Sequence, residues 1–92
     1  MASVKIPPVL RQHTGGLDLV EAQGETVGAV LEALVAEYPD TRPQLFSEDG
    51  DLNRFVNVYL NDEDVRVLDG LATGASASDT VMILPAMAGG TR

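Results

Sequence analysis

Few residues in this 92-residue chain have types and spacing suited to chemistry. His13 is the only histidine and stands beside Gly15-Gly16 in a turn-like stretch. A metal or proton-transfer role needs converging partners, and none has usable spacing, so His13 reads as a surface turn residue. Ser76 and Ser78 have no base in sight to activate either as a nucleophile. The acidic clusters Glu48-Asp49-Gly50-Asp51 and Asp62-Glu63-Asp64 invite calcium. Neither has the regular ligand spacing and distal Glu of an EF-hand loop, so both read as solvated turns. Glycines 15, 16, 24, 28, 70 and 74 form neither a P-loop nor a dinucleotide fingerprint. With no cysteine, disulfides and thiolate-bound zinc are excluded. No metal site and no bound cofactor are expected.

What remains is the C-terminal run Ala86-Met87-Ala88-Gly89-Gly90-Thr91-Arg92. Small residues after Pro85 neither pack as a helix nor continue a sheet, and a frayed end is one account of them. The other account uses what glycine offers. Without a Cβ, Gly89-Gly90 can thread a narrow channel in conformations that other residues resist. Extended, residues 86–90 reach roughly 17 Å, enough to enter a partner's active site while the domain stays outside.

The rest of the chain must position that tail. Residues 3–10, with Val4, Ile6, Val9 and Leu10, read as an opening strand whose Pro7-Pro8 mark an edge or bulge. Residues 13–16 form a turn, and residues 17–20 return antiparallel as a hairpin. Thr26 caps a helix with apolar positions Val27, Val30, Leu31, Leu34 and Val35, ended by Pro39. A polar connection over residues 40–50 holds one short helical turn at residues 43–46. Residues 55–60 are the strongest strand, and period two separates Val56, Val58 and Leu60 from Phe55, Asn57 and Tyr59. Residues 61–64 turn the chain, and residues 65–67 form a short partner strand. A loop over residues 68–79 leads to a last strand at residues 80–84. A helix with one apolar stripe must cover a sheet, so the expected fold is α+β: one mixed sheet packed against one main helix. Pairing the first and last strands in the middle of the sheet is consistent with this. Residues 1–85 read as the domain and 86–92 as a flexible tail.

Composition narrows the function. The chain is 45% hydrophobic, enough for a globular domain. The net charge is −8 with a single lysine, Lys5, which argues against a nucleic-acid partner and favours partners with basic docking faces. No run of eighteen apolar residues suggests a membrane span, and the first residues lack the layout of a signal peptide. A cytoplasmic location is expected.

The Gly-Gly that follows the last strand, together with Val56-Asn57-Val58-Tyr59-Leu60-Asn61 and Ile83-Leu84-Pro85-Ala86, resembles the ThiS/MoaD family of sulfur carriers. The resemblance covers nearly the whole chain and implies a ubiquitin-like β-grasp fold. Residues 54–66 and Gly70-Leu71-Ala72-Thr73 are most similar to the CysO-type carriers of actinobacterial cysteine biosynthesis. The resemblance implies a substrate rather than an enzyme. The Gly90 carboxylate is adenylated by an E1-like (MoeB/ThiF-type) enzyme using ATP, converted to a thiocarboxylate, and used as sulfur donor by a partner synthase. Ala88, Gly89 and Gly90 then thread the partner's active site. Thr91 and Arg92 depart from the family pattern, because an amide at Gly90 blocks activation. A processing peptidase is then needed to remove them, unless they are foreign to the protein.

If Val56, Val58, Val81 and Ile83 face the helix, then Phe55, Tyr59, Met82 and Leu84 share the other face, and Met87 extends it. This is the expected docking patch. The alternative is that these residues pack beneath the loop at 68–79. Other destinations for the sulfur are molybdopterin, thiamin or a thiosugar or other natural product. A ubiquitin-like protein modifier and a plain binding module are the rival classes.

Overall fold

The computed structural model describes residues 2–85. Five strands, β1 (Ala2–Lys5), β2 (Leu19–Ala22), β3 (Val56–Leu60), β4 (Glu63–Asp64) and β5 (Thr80–Pro85), form one sheet in the order β2-β1-β5-β3-β4. β1 and β5 run parallel, and the other neighbours are antiparallel. Helix α1 (Val27–Glu37) crosses one face, and the short α2 (Arg42–Leu45) closes one end. The expected α+β β-grasp architecture, with the first and last strands paired at the centre, is what the chain adopts.

Helix α1 forms as its sequence dictates. The Thr26 hydroxyl accepts from the Ala29 N–H at 3.1 Å, satisfying one free donor of the first turn. Val27, Val30, Leu31, Leu34 and Val35 are all buried. They meet Ala2, Val4, Val20, Ala22, Val56, Val58, Leu60, Val81 and Ile83 from the sheet in one core. Each such Val or Leu contributes roughly 1.5–3 kcal/mol by leaving water. Gly24 lets the chain lie against the start of the helix. A Cβ there would stand 2.5 Å from the Val30 nitrogen and 2.7 Å from the Ala29 carbonyl carbon.

Three segments differ from the sequence reading. The opening strand ends at Lys5 rather than continuing to residue 10, because Pro7-Pro8 start a 3-10 turn over Pro8–His13 that throws Val9 outward. The returning strand is Leu19–Ala22, two residues later than expected. Its inward residues are Val20 and Ala22, while Leu17 and Leu19 stay exposed. Residues 65–67 do not form a strand. Asn61 and Asp62 adopt φ of 50° and 75° in a tight turn, so pairing with β3 begins at once at Glu63–Asp64. By then the chain is turning: Val65 is buried, Gly70 donates to the Val65 carbonyl at 2.7 Å, and Val67 points to solvent.

That turn is tied to the start of β5. Asn61 Nδ2 donates to Asp79 Oδ1 at 2.9 Å, and the Ser76 N–H donates to Asp79 Oδ2 at 2.8 Å. The Thr80 N–H donates to Asn61 Oδ1 at 3.0 Å. The Asn61 hydrogen bond, followed by that of the Ser76 backbone, lowers the Asp79 pKa below its usual 3.8.

Because the folded pKa is depressed, the Asp79 contribution is fully present above 3.8 and is lost as pH falls through the lower folded value. Asp79→Asn should therefore flatten the decline of Tm in that acid window relative to wild type, and parallel declines would remove Asp79 from the acid response. Gly24→Ala should destabilise the domain by about 1–3 kcal/mol in urea unfolding through overpacking. A change within about 0.5 kcal/mol would show that the backbone at residues 29 and 30 yields freely.

Candidate functional site

The central strand is held by ladders of unequal length. On its β3 side the pairing runs to Val56 opposite Pro85. On its β1 side it stops at Lys5 opposite Met82, because β1 ends there and Pro7-Pro8 divert the chain. Pro85 has no N–H to extend either ladder. The tail therefore starts from a strand anchored on both sides at its beginning and on one side at its end. The tail residues themselves, Ala86, Met87, Ala88, Gly89, Gly90, Thr91 and Arg92, lie outside the described residues.

Beside Pro85 is a groove of about 210 Å³ lined by Pro7, Val9, Leu10, Phe55, Val56 and their neighbours. Phe55 precedes β3 rather than belonging to it, and it is 54% exposed. It therefore borders the strand end where the tail begins, not the middle of the sheet. Val9, 57% exposed, joins it there. The sequence reading missed Val9 by placing it in a strand, although Pro7-Pro8 signalled the break.

The outer face of the sheet follows from the strand registers. Leu19, Lys5, Met82, Tyr59 and Asp64 form one row across the strands. Asn57 and Leu84 pair in the next row toward the tail, and Glu21, Ser3 and Thr80 lie in the row on the other side. Tyr59 and Met82 are half-buried and Leu84 is 39% exposed, whereas Val58, Val81 and Ile83 are fully buried beneath α1. Alternation thus splits the two sets as period two demands.

Residues 68–79 do not cover this outer row; they pack on the helix side. The Val27 N–H donates to the Thr73 carbonyl at 2.8 Å, and the Ala75 N–H to the Glu25 carbonyl at 2.9 Å. A Cβ on Gly28 would approach the Leu71 carbonyl oxygen to 3.0 Å, so the helix and the Gly70–Ala72 turn meet at close range. One further residue, absent from the sequence reading, does reach the outer strip. Arg66 Nη1 donates to Asn57 Oδ1 at 3.0 Å and its Nη2 to the Asn53 carbonyl at 2.9 Å.

Of the side chains set aside on sequence, Asp64 ends the central row of the strip, and the following lie apart from it. His13 ends the Pro8–His13 turn, Glu48 to Asp51 surround a turn with Gly50 at φ 85°, and Ser76 serves the Asp79 cap. Among the described residues no three His, Cys, Asp or Glu side chains converge on a point that could hold a metal ion. No helix there is long and apolar enough to cross a membrane. The arrangement leaves Phe55 and Leu84 exposed and Tyr59 and Met82 half-buried on the face away from α1 and at the end of β5.

Comparison with known proteins matches the ThiS family over residues 4–90. The chain is 52% identical to the sulfur carrier protein CysO of Mycobacterium tuberculosis over 90 residues, covering 96% of this chain and 97% of the relative. It is 45% identical over 65 residues to small archaeal modifier protein 3 of Haloferax volcanii, covering 71% of this chain and 70% of that one. Among solved structures, a chain of the Amycolatopsis orientalis BexX/CysO complex superposes with a TM-score of 0.90 at 44% identity. That superposition covers 98% of this chain and all of the other.

The assignment of faces is open to measurement. Ile83→Ala should cost about 2–5 kcal/mol in urea unfolding, as a truncation in the packed layer. Leu84→Ser, one residue on, should cost less than about 1 kcal/mol. Equal losses would place Leu84 in the core and remove it from the outer strip.

Proposed function

We propose that this chain, which belongs to the ThiS family, is a sulfur carrier whose working group is the carboxylate of Gly90. The observation that carries the proposal is its near full-length similarity to a protein named as a sulfur carrier. The family match extending through Gly90 supports it, as does the Gly89-Gly90 pair four and five residues beyond the central strand.

The chemistry proceeds in balanced steps. An oxygen of the Gly90 carboxylate attacks the α-phosphate of ATP inside an E1-like enzyme, and pyrophosphate leaves. Hydrosulfide then attacks the acyl carbon and expels AMP, and loss of the sulfur-bound proton leaves a thiocarboxylate. The thiocarboxylate sulfur then forms a C–S bond to an electrophilic carbon held by a partner synthase, and water cleaves the acyl–sulfur bond to return the Gly90 carboxylate; cysteine synthesis is the proposed destination. The CysO chain that assembles with BexX in the Amycolatopsis structure supports a step in which such carriers dock onto a partner protein. The carrier itself supplies no acid, base or metal. It supplies an address and a reactive end.

The geometry suits this division of labour. Residues 86–90 span roughly 17 Å when extended, which separates the folded body from a buried nucleotide. Glycine at 89 and 90 allows passage through a channel with no room for side chains. Ala88, Gly89 and Gly90 are the threading residues. Tyr59, Met82 and Leu84, with Phe55 at the strand end and Met87 beyond it, are the docking residues. An apolar strip left open beside a reactive tail is the kind of surface a partner covers. Thr91 and Arg92 must be absent before the first step, since an amide carbonyl at residue 90 cannot be adenylated.

A second reading, conjugation of Gly90 to lysines of other proteins, is favoured by the similarity to an archaeal modifier protein. It uses the same activated Gly90 and differs only in the acceptor.

Intact mass spectrometry of the protein from its host tests the carrier reading. A species ending at Gly90 and about 16 Da heavier than its carboxylate form is expected, from exchange of oxygen for sulfur. High-mass conjugates without that species would favour the modifier. A chain always ending at Arg92 would overturn both. In reconstituted assays, deletion of residues 89–92 should abolish sulfur transfer, and full activity in that variant would reduce the domain to a binding module.

A further inference from the structure

We propose that the outer strip carries a preformed receptor for a carboxylate side chain of the activating enzyme, with Arg66 as its guanidinium. The proposal rests on the carrier reading and names the chemistry of the contact. It runs against the overall charge. A chain at −8 predicts basic partners everywhere, yet the strip beside the tail presents a positive group.

Arg66 is held by neutral acceptors only. Its Nη1 donates to the Asn57 side chain and its Nη2 to the Asn53 carbonyl, which uses two of the five N–H donors of a guanidinium. The remaining donors have no acceptor among the described residues. The one ion pair among those residues is Arg42 with Glu32 on α1. The Arg66 charge therefore has no carboxylate within 4 Å there. Asp64 is near in sequence, but its carboxylate accepts from the Arg66 backbone N–H at 2.9 Å rather than pairing with the guanidinium.

Position gives that charge its meaning. Asn57 is opposite Leu84 on β5, so the guanidinium that binds the Asn57 side chain is placed at that row of the outer face. Glu21, the outward acid of β2, lies in the row on the other side of Met82 and Tyr59. Arg54 has its guanidinium 5.2 Å from the Phe55 ring centre. It lines a concavity that also holds Glu48 and Asp49. The strip has two cations, Lys5 in the row of Met82 and Tyr59 and Arg66, and among the described residues only the charged group of Arg66 is held in place by hydrogen bonds.

A long side chain fixed before the partner arrives loses less freedom on binding, and its planar fork matches a carboxylate in two parallel hydrogen bonds. Such a contact sets orientation more than it adds affinity, and orientation is what a tail entering a channel requires. The long-range field of an acidic body brings a basic partner near. A single Arg–carboxylate contact at the tail side then selects one way of docking.

The test uses a chain ending at Gly90, the host's E1-like enzyme and ATP–pyrophosphate exchange, with Arg66→Glu, Arg66→Gln and Arg66→Lys. Arg66→Glu should raise the KM for the carrier about tenfold or more while kcat stays within about twofold. Arg66→Gln should raise KM less and flatten its dependence on salt, and Arg66→Lys, which keeps the charge but loses the planar fork, should give a KM between that of Arg66→Gln and wild type. Thermal melting of each variant separates docking from folding, and the Gln and Lys forms decide if the Glu form does not fold. Unchanged KM in the Glu and Gln variants would overturn the receptor while wild-type exchange leaves the carrier reading standing. So would a KM rise with an undiminished salt slope, or losses that track Tm and fall equally on kcat. No exchange by the wild-type chain is a different failure, since it sinks the carrier reading and takes the receptor with it.

Discussion

The parallel pairing of β1 with β5 is the constraint on which the rest of the structure depends. It joins residues 3–5 to residues 80–82 across nearly the full length of the chain. Between them the chain adds β2, β3 and β4 to the same sheet and also crosses one of its faces. That excursion contains α1, whose apolar stripe buries Val4, Val58 and Val81 to zero exposure. A parallel neighbour needs such a crossover, because no tight turn can connect strands running the same way. The entropy of closing so long a loop is offset only by the shared core, so strand pairing and helix packing are expected to form together.

The same pairing decides where the chain's end emerges. A central strand is the best-anchored element of a sheet, and here it is also the last. Its early residues are gripped from both sides and its final ones by β3 alone, so the grip loosens along β5 toward Pro85. A proline at that point removes a ladder donor as the strand ends. The body thereby presents a start of fixed position to a tail made of small residues.

The one-helix cover produces the second consequence. α1, with residues 68–79 packed against it, accounts for one face, leaving Tyr59, Met82 and Leu84 on the other. Under the proposed carrier function, partner specificity falls to that face, because residues 86–90 carry few large side chains to recognise. Polar groups on that strip are spaced by the same ladders that order the core. Asn57 holds Arg66 from a position fixed by its partner Leu84 on β5.

Much of this was legible in the residues. The Thr26 cap, the stripe from Val27 to Val35, the alternation over residues 56–60 and the stop at Pro85 are local signals, each read from periodicity or backbone chemistry over a few residues. The similarity of the whole pattern to a family supplied the β-grasp expectation. What local signals could not decide were matters of pairing. Whether Leu17 and Leu19 or Val20 and Ala22 turned inward depended on the register against β1, and a shift by one residue exchanges the faces. Whether residues 65–67 continued a strand depended on Asn61 and Asp62 closing the turn in two residues. Which face residues 68–79 would cover, and that Arg66 would be held at the Leu84 row without a carboxylate, depended on segments distant in sequence meeting in space. Periodicity reports what a residue's neighbours in the chain require; contact between distant strands is a property of the folded sheet alone.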